Sequence, residues 1–347
     1  MIESTKIIIA GGGIGGMSAA LALLQKGFDV EVYEQAEALT EVGAGVQISP
    51  NGSRALDALG AFDRLKALSC TPDRKEFMHW KTGKSWPLFD LGDLAIEKYG
   101  YPYLTVYRPD LLSALTDGVK ALKSDAIKLG CKIDGFTQSS TGITLHYNNT
   151  ESASGHVLIG ADGVRSTVRN TLFGDNNASF SGMVAWRAVI PMEKLPSRYT
   201  ESVGRTWIGP GGHVVHYPLR NGKLMNFVGT IEREDWQVES WNVKGSKEEC
   251  ATDFKGWHDD IHTLINASDT LLKWALMERK PMERWTSGRV TLLGDACHAT
   301  LPFLAQGAVM SIEDGVVLAR CMEMTNLSLE DRLLRYENAR RERTSRM

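Results

Sequence analysis

The sequence has no long apolar run. Nothing in its 347 residues approaches the ~20 consecutive apolar residues of a membrane-spanning helix. A basic excess is also missing: 39 Lys and Arg stand against 42 Asp and Glu, for a net charge of -3. Nucleic acid, usually met by a basic patch or stripe, is therefore not an expected partner, and neither is a membrane. Cysteine is sparse. Cys70, Cys131, Cys250, Cys297 and Cys321 are odd in number, widely spread and form no CxxC pair, which argues against both a disulfide framework and a zinc site. The histidines show no metal-ligand spacing, so no metal is expected. The N-terminus lacks the basic flank and small-residue cleavage site of a secretion signal. Sequons such as Asn177-Ala178-Ser179 then read as chance, and a soluble cytoplasmic protein is the expectation. Repeats and low-complexity segments are absent too. What is present is 43% hydrophobic residues with 23% charged, enough for a sizeable core, in a chain long enough for two domains or one large one.

The chain opens as α/β. Lys6 to Ala10 reads as a buried strand running into the glycines of "IIIAGGGIGG". Met17, Ala20, Leu21 and Leu24 then fall at helical spacing up to Gly27, and "DVEVYE" (29 to 34) alternates as a second strand. A helix is expected from about Ser53 to Leu68 and another from Pro109 to Gly130, with short strands rather than helix between 71 and 107. "GITLHY" and "HVLIGA" read as strands. From Phe180 to Trp241 the stretches turn β-prone, punctuated by the hairpin signal Asn221-Gly222. A helical stretch follows at about 247 to 267. Near 289 the α/β character returns with the strand "RVTLLGDA" and a helix over 306 to 323. The closing "RYENARRERTSRM" is a charged helix-like run with no stop signal, so further residues are expected beyond Met347.

Gly11, Gly13 and Gly16 form GxGxxG after a strand and at the opening of a helix. Glycine there permits a tight turn, lets backbone approach a pyrophosphate, and lets helix pack close to sheet; the helix N-terminus favours phosphate. Glu34 ends the second strand, where a carboxylate can accept from ribose hydroxyls. The motif alone does not separate NAD from FAD. Two later stretches do: "IGADGVRSTVR" (159 to 169) and "GDACHATLP" (294 to 302) each follow a strand, and Asp295 is placed for a second contact far along the chain. A ligand that needs all of these is long, as FAD is. His298 reads as holding its loop by hydrogen bonding rather than touching the flavin.

The combination of GxGxxG, GADGxxSxVR and GDAxHxxxP resembles the single-component FAD-dependent aromatic hydroxylases, the group of salicylate hydroxylase, 3-hydroxybenzoate 6-hydroxylase and 6-hydroxynicotinate 3-monooxygenase. "GAGVQISPNG", "VYRPDLLSAL" and "AQGAVMSIEDGVVLA" carry the likeness along nearly the whole chain. The resemblance implies an α/β fold: a Rossmann-like FAD-binding domain (1–70, 105–175 and 280–347) with an inserted, mostly β substrate domain (71–104 and 176–279), as in p-hydroxybenzoate hydroxylase-like flavoproteins. It implies FAD contacts from Gly11, Gly13, Gly15, Gly16, Glu34, Gln35, Arg108, Asp162 and Asp295. Gly307 and Ala308 would lie at a helix start beside the isoalloxazine.

The implied reaction uses NADH or NADPH as a transient co-substrate to reduce the flavin. Dioxygen then adds, and the resulting flavin hydroperoxide passes an OH to an electron-rich ring, with or without decarboxylation. The substrate is a small hydroxylated aromatic acid and the protein a monomer or homodimer. In "GGHVVHYPLR", His213, Val215 and Tyr217 alternate onto one strand face while His216 points the other way. By resemblance, His213 and Tyr217 line the substrate site as candidate base or proton relay. Gln47, in a loop near the flavin, binds rather than acts as a base. Arg187 balances a carboxylate unless it lies on a solvated face, and Phe303, where some relatives carry His, gives an apolar wall. Two alternatives stand beside this reading: a relative acting on a larger natural-product ring by epoxidation or hydroxylation, and a flavin-binding NAD(P)H oxidase or regulator without oxygenation.

Overall fold

The computed structural model describes residues 5–39, 43–174, 178–235 and 243–347; Asn177 of the quoted sequon lies outside them. Two sheets organise these residues. The first has six strands in the order Thr286–Ser287, Val290–Leu292, Val157–Gly160, Lys6–Ala10, Asp29–Tyr33, Ile127–Lys128. Its pairings are parallel except for the 286–292 hairpin. Ile7, Ile8 and Ile9 are fully buried, the continuous apolar run of a strand covered on both faces. The helix Ile14–Gln25 packs between Arg108–Leu122 and Gly307–Met322.

The second sheet has eight strands in the order Val243–Gly245, Leu271–Glu278, Ser179–Pro191, Leu224–Glu232, Gly212–Leu219, Val203–Gly209, Arg74–His79, Ser85–Asp90. One face carries Trp186, Trp207, Val214 and Phe227 and is sealed by Phe254, Trp257, Ile261 and Leu264 from two helices, Lys247–Asp253 and Asp259–Ala267. The other face carries His213, Val215 and Tyr217. A two-stranded ribbon, Gly45–Ile48 with Leu104–Tyr107, meets that face: the Thr105 hydroxyl donates to the Pro218 carbonyl at 2.6 Å. A small antiparallel sheet (Ile133–Gln138, Ile143–Tyr147, Glu151–Gly155) completes the fold.

Several expectations are corrected. The helix expected over 53–68 is two, Pro50–Ala58 and Phe62–Leu68, parted at Gly60 with φ +69°; Leu68 is exposed. The 247–267 stretch is likewise broken, with Gly256 at φ +80°. The helix from Arg108 stops at Leu122, not Gly130, because residues 127–128 join the first sheet as an edge strand. Residues 71–107 include a helix, Asp93–Tyr99. The strand near 289 spans only Val290–Leu292, so Asp295 lies past its end, in the short helix Asp295–His298.

Candidate flavin and substrate site

The three motif strands, Lys6–Ala10, Val157–Gly160 and Val290–Leu292, are parallel neighbours, so their loops leave the same edge of the sheet, where α/β folds bind ligands. In the first loop each glycine has a distinct cause. Gly11 has φ +103°, and a Cβ there would stand 2.4 Å from the Ala161 carbonyl oxygen. A Cβ on Gly16 would stand 2.0 Å from the Gly11 carbonyl oxygen, and one on Gly15 2.8 Å from Leu293 Cδ2. Gly13 differs: a Cβ there meets nothing within 4 Å, and it caps the N-terminus of Ile14–Gln25. That open cradle is what a pyrophosphate needs. Glu34 follows the second strand, its Oε2 accepting from the Gly12 N–H at 2.6 Å and Oε1 from the Ala36 N–H at 2.9 Å. Gln35 is exposed beside it. Half-buried Arg108 opens the helix Arg108–Leu122, its N–H donating to the Ala44 carbonyl at 2.9 Å.

Asp162 and Asp295 occupy different environments. Asp162 turns inward: its carboxylate accepts from the Ser166 hydroxyl and, at 3.1 Å, from the Val168 N–H, and burial pushes its pKa up. Its backbone abuts the glycine loop; a Cβ on Gly11 would lie 2.9 Å from Asp162 Cα. Asp295 is exposed and faces the start of Gly307–Met322, where a Cβ on Gly307 would lie 4.0 Å from Asp295 Oδ1 and nothing is nearer than Thr300 Oγ1 at 3.5 Å. Arg169, buried, ties the two motifs together by donating to the carbonyls of Ala296 at 3.1 Å and Val164 at 3.0 Å. His298 does hold its loop: Nε2 lies 2.6 Å from Asp314 Oδ2, and Arg340 Nε donates to Asp314 Oδ1 at 2.6 Å. Asp314, fully buried, escaped the sequence reading; its one signal is a carboxylate between the core positions Ile312 and Leu318. A cavity of about 450 Å³ is lined by Asp295, His298, Phe303, Arg279 and Thr344; neither the glycine loop nor His213 lines it.

The strand register puts His213, Val215 and Tyr217 opposite Thr230, Val228 and Asn226, and Val228 opposite Arg187. Arg187 is on this face but buried, its guanidinium 5.2 Å over the Trp274 ring, not on a solvated surface. The His213 and Phe303 rings meet edge to face at 5.5 Å. Burial lowers the His213 pKa and raises that of Tyr217. Gln47 is not in a loop; it pairs with Thr105 in the ribbon, two residues from Gly45, where a Cβ would lie 2.8 Å from the Tyr217 hydroxyl. Gln47 Oε1 accepts from the Tyr103 hydroxyl at 2.7 Å, and Lys75 Nζ donates to that same hydroxyl at 3.3 Å. Lys75 and Tyr103 were not anticipated, because they reach Gln47 only through the sheet and the ribbon. The structure thus assembles two clusters: the glycine loop, Glu34, Asp295, Gly307 and Ala308 at the first sheet's edge, and His213, Tyr217 and Arg187 on the second sheet's inner face, with Gln47 from the ribbon and Phe303 against it; Arg108 stands at the end of the ribbon, bonded through its N–H to Ala44. Among the described residues no group of His, Cys, Asp and Glu could hold a metal ion, and no helix is long and apolar enough to cross a membrane.

Residues 4–347 match the family described as FAD binding domain. The chain is similar to 3-hydroxybenzoate 6-hydroxylase of Polaromonas naphthalenivorans (36% identity, 98% of this chain and 85% of the relative). It is also similar to 6-hydroxynicotinate 3-monooxygenase of Pseudomonas fluorescens (35%, 100% and 90%). Among solved structures, Klebsiella pneumoniae HpxO complexed with FAD and uric acid superposes with a TM-score of 0.87 at 27% identity, over 100% of this chain and 86% of that one.

Proposed function

This chain belongs to the FAD-binding-domain family of aromatic-ring monooxygenases, and from that premise we propose that it hydroxylates a small, hydroxylated aromatic acid with NADH or NADPH as transient co-substrate. The observation that carries the reading is the inner sheet face. It combines an apolar floor (Val215, Val228), a buried cation (Arg187) suited to a carboxylate, and two neutral proton-handling groups, His213 and Tyr217.

The residues fit FAD. Gly13 leaves space for the pyrophosphate at a helix N-terminus. Glu34 would take the ribose hydroxyls, Arg108 and Asp295 would contact the cofactor farther along, and the N–H groups of Gly307 and Ala308 would face the ring, where a helix start favours negative charge. Bound there, FAD would accept reducing equivalents from NAD(P)H and activate dioxygen for transfer to the substrate ring. The chain supplies the rest. Arg187 orients the acid, the valines line its floor, the Phe303 ring meets His213 edge to face, and His213 and Tyr217 manage the proton of the ring hydroxyl whose loss enriches the ring. Salicylate, 3-hydroxybenzoate and 6-hydroxynicotinate are the first substrates to test. The FAD-loaded protein should oxidise NADH or NADPH faster with one of them and yield a hydroxylated product. Oxidation that no aromatic acid stimulates, with peroxide as sole product, would leave the oxidase reading instead.

A further inference from the structure

We propose that Ser49, Asn51 and Gln306 are positioning residues: they close a ring of hydrogen bonds that holds the turn before Gly307–Met322 and so aims the N–H groups of Gly307 and Ala308 at the flavin. The inference rests on the placement of that helix start beside the isoalloxazine proposed above. Gln306 Nε2 donates to Ser49 Oγ at 3.0 Å, Ser49 Oγ donates to Asn51 Oδ1 at 2.6 Å, and Asn51 Nδ2 donates to Gln306 Oε1 at 3.4 Å. Donor counting fixes the direction. Asn51 Nδ2 also lies 2.9 Å from Glu313 Oε1, and a carboxylate only accepts. Arg343 reaches that carboxylate at 3.0 Å through both Nε and Nη2, and Arg340 at 2.9 Å. Asn51 must therefore turn its NH₂ toward Glu313, which leaves its oxygen for the Ser49 hydroxyl. With that hydrogen engaged, Ser49 Oγ accepts from the Gln306 NH₂, and the Gln306 oxygen is left facing Asn51.

The helix start needs such an anchor. Gln306 precedes the helix, yet its side chain caps none of the first N–H groups. Those groups have no partner within the helix, and the ring keeps the nearest amide oxygen away from them, so they stay available to negative charge. Ala305, one residue earlier, stands at φ +52° and ψ +36°. A residue with a Cβ avoids this left-handed conformation and keeps it only where its surroundings over-determine it. The Ala305 N–H, donating to the Pro302 carbonyl at 3.1 Å, constrains one side of the turn, and the ring through Gln306 constrains the other. The ring stands on a close-packed base. A Cβ on Gly52, next to Asn51, would lie 3.0 Å from Val309 Cγ2, so Pro50–Ala58 rests directly on the first turn of Gly307–Met322.

The test is the midpoint potential of the bound flavin, measured by dye equilibration on FAD-loaded protein. N–H groups aimed at the ring favour the reduced, negatively charged flavin, so a slackened turn lowers the potential. Ser49→Ala should make the bound flavin about tenfold harder to reduce, a fall of about 30 mV for two electrons, at full FAD content. Ser49→Thr keeps the hydroxyl and should stay at the wild-type potential. Asn51→Leu should reproduce Ser49→Ala, and the double variant should add little to either, as for groups acting as a unit. Ala305→Gly placed in Ser49→Ala should recover most of the fall, because glycine adopts the left-handed turn without the steric cost. A ring that only stabilises the fold would lower the melting temperature of Ser49→Ala and leave the potential where it was. That result, or no recovery by Ala305→Gly, overturns the proposal alone. Ala308→Pro removes one of the two N–H groups themselves. If it holds full FAD at the wild-type potential, the helix start does not face the flavin ring, and that placement falls together with the proposal.

Discussion

Burial keeps both His213 and Tyr217 neutral, by lowering the pKa of one and raising that of the other. Their roles then separate. The imidazole keeps a lone pair that can receive a proton at neutral pH, whereas the phenol keeps its hydrogen and offers hydrogen bonds but no base. Removing the lone pair should cost more than removing the donor. His213→Ala is expected to slow product formation by about 10²–10⁴-fold, the usual contribution of one positioned acid–base group. Tyr217→Phe should act in the same direction but less. In both, FAD content should stay normal and peroxide per NAD(P)H consumed should rise. Wild-type coupling and wild-type substrate affinity in both variants would show that this strand does not line the reaction site. That these two residues share one sheet face was legible because strand alternation is a local rule. Arg187 was only half legible: alternation gave its face, but nothing local told that Trp274 from a neighbouring strand would cover it. Lys75 and Tyr103 were not legible, since 28 residues separate them from each other and 56 separate Tyr103 from Gln47.

Elements were readable where backbone demands leave a residue-type mark. The glycine loop is the plainest case, and its two kinds of glycine make a testable contrast. A Cβ on Gly16 collides with backbone, at 2.0 Å from the Gly11 carbonyl oxygen, whereas a Cβ on Gly13 enters open space. Gly13 also has φ -72°, which any residue adopts. Gly16→Ala should therefore destabilise the fold itself, lowering the melting temperature even without FAD. Gly13→Ala should melt like wild type when stripped of FAD and yet retain little flavin, because the methyl occupies the place of the phosphates. If Gly13→Ala kept full FAD, the pyrophosphate would not lie over that residue. The helix boundaries were less readable for a related reason. The periodicity of 53–68 continues through Gly60 because Leu56 and Leu65 reach the same core on either side of the break. An apolar period reports which side is buried, not whether the axis runs straight. The same holds across Gly256, where Cys250 and Phe254 precede it and Ile261 and Leu264 follow it, all on one core.

At the scale of the whole molecule, the His298–Asp314–Arg340 cluster joins three distant parts of the chain: the loop that carries Asp295, the helix Gly307–Met322, and the C-terminal helix Leu329–Ser345. Its charges make part of the stability depend on pH. Burial works against the imidazolium of His298, but the Asp314 carboxylate outweighs it and the pKa rises above the ordinary value near 6.5. Burial likewise opposes ionisation of Asp314, while His298 and Arg340 outweigh it and hold the carboxyl below its ordinary value near 3.8. The signs follow from linkage. A raised histidine contributes fully below its unfolded value and loses that contribution as pH climbs through its folded one. A depressed carboxyl contributes above its unfolded value and loses that as pH falls through its folded one. Both contributions are thus present between about pH 4 and 6.5. His298→Gln keeps a donor near Asp314 but no charge. A charge-assisted hydrogen bond contributes about 1.5–3 kcal/mol, and 1 kcal/mol moves the melting temperature of a large domain by about 2–4 °C. The melting temperature of His298→Gln should therefore lie several degrees below wild type near pH 5.5, with the gap closing toward pH 9 as His298 loses its proton in the folded protein. A gap that stays constant across that range would mean that His298 titrates alike in the folded and unfolded protein, and that Arg340 alone balances Asp314.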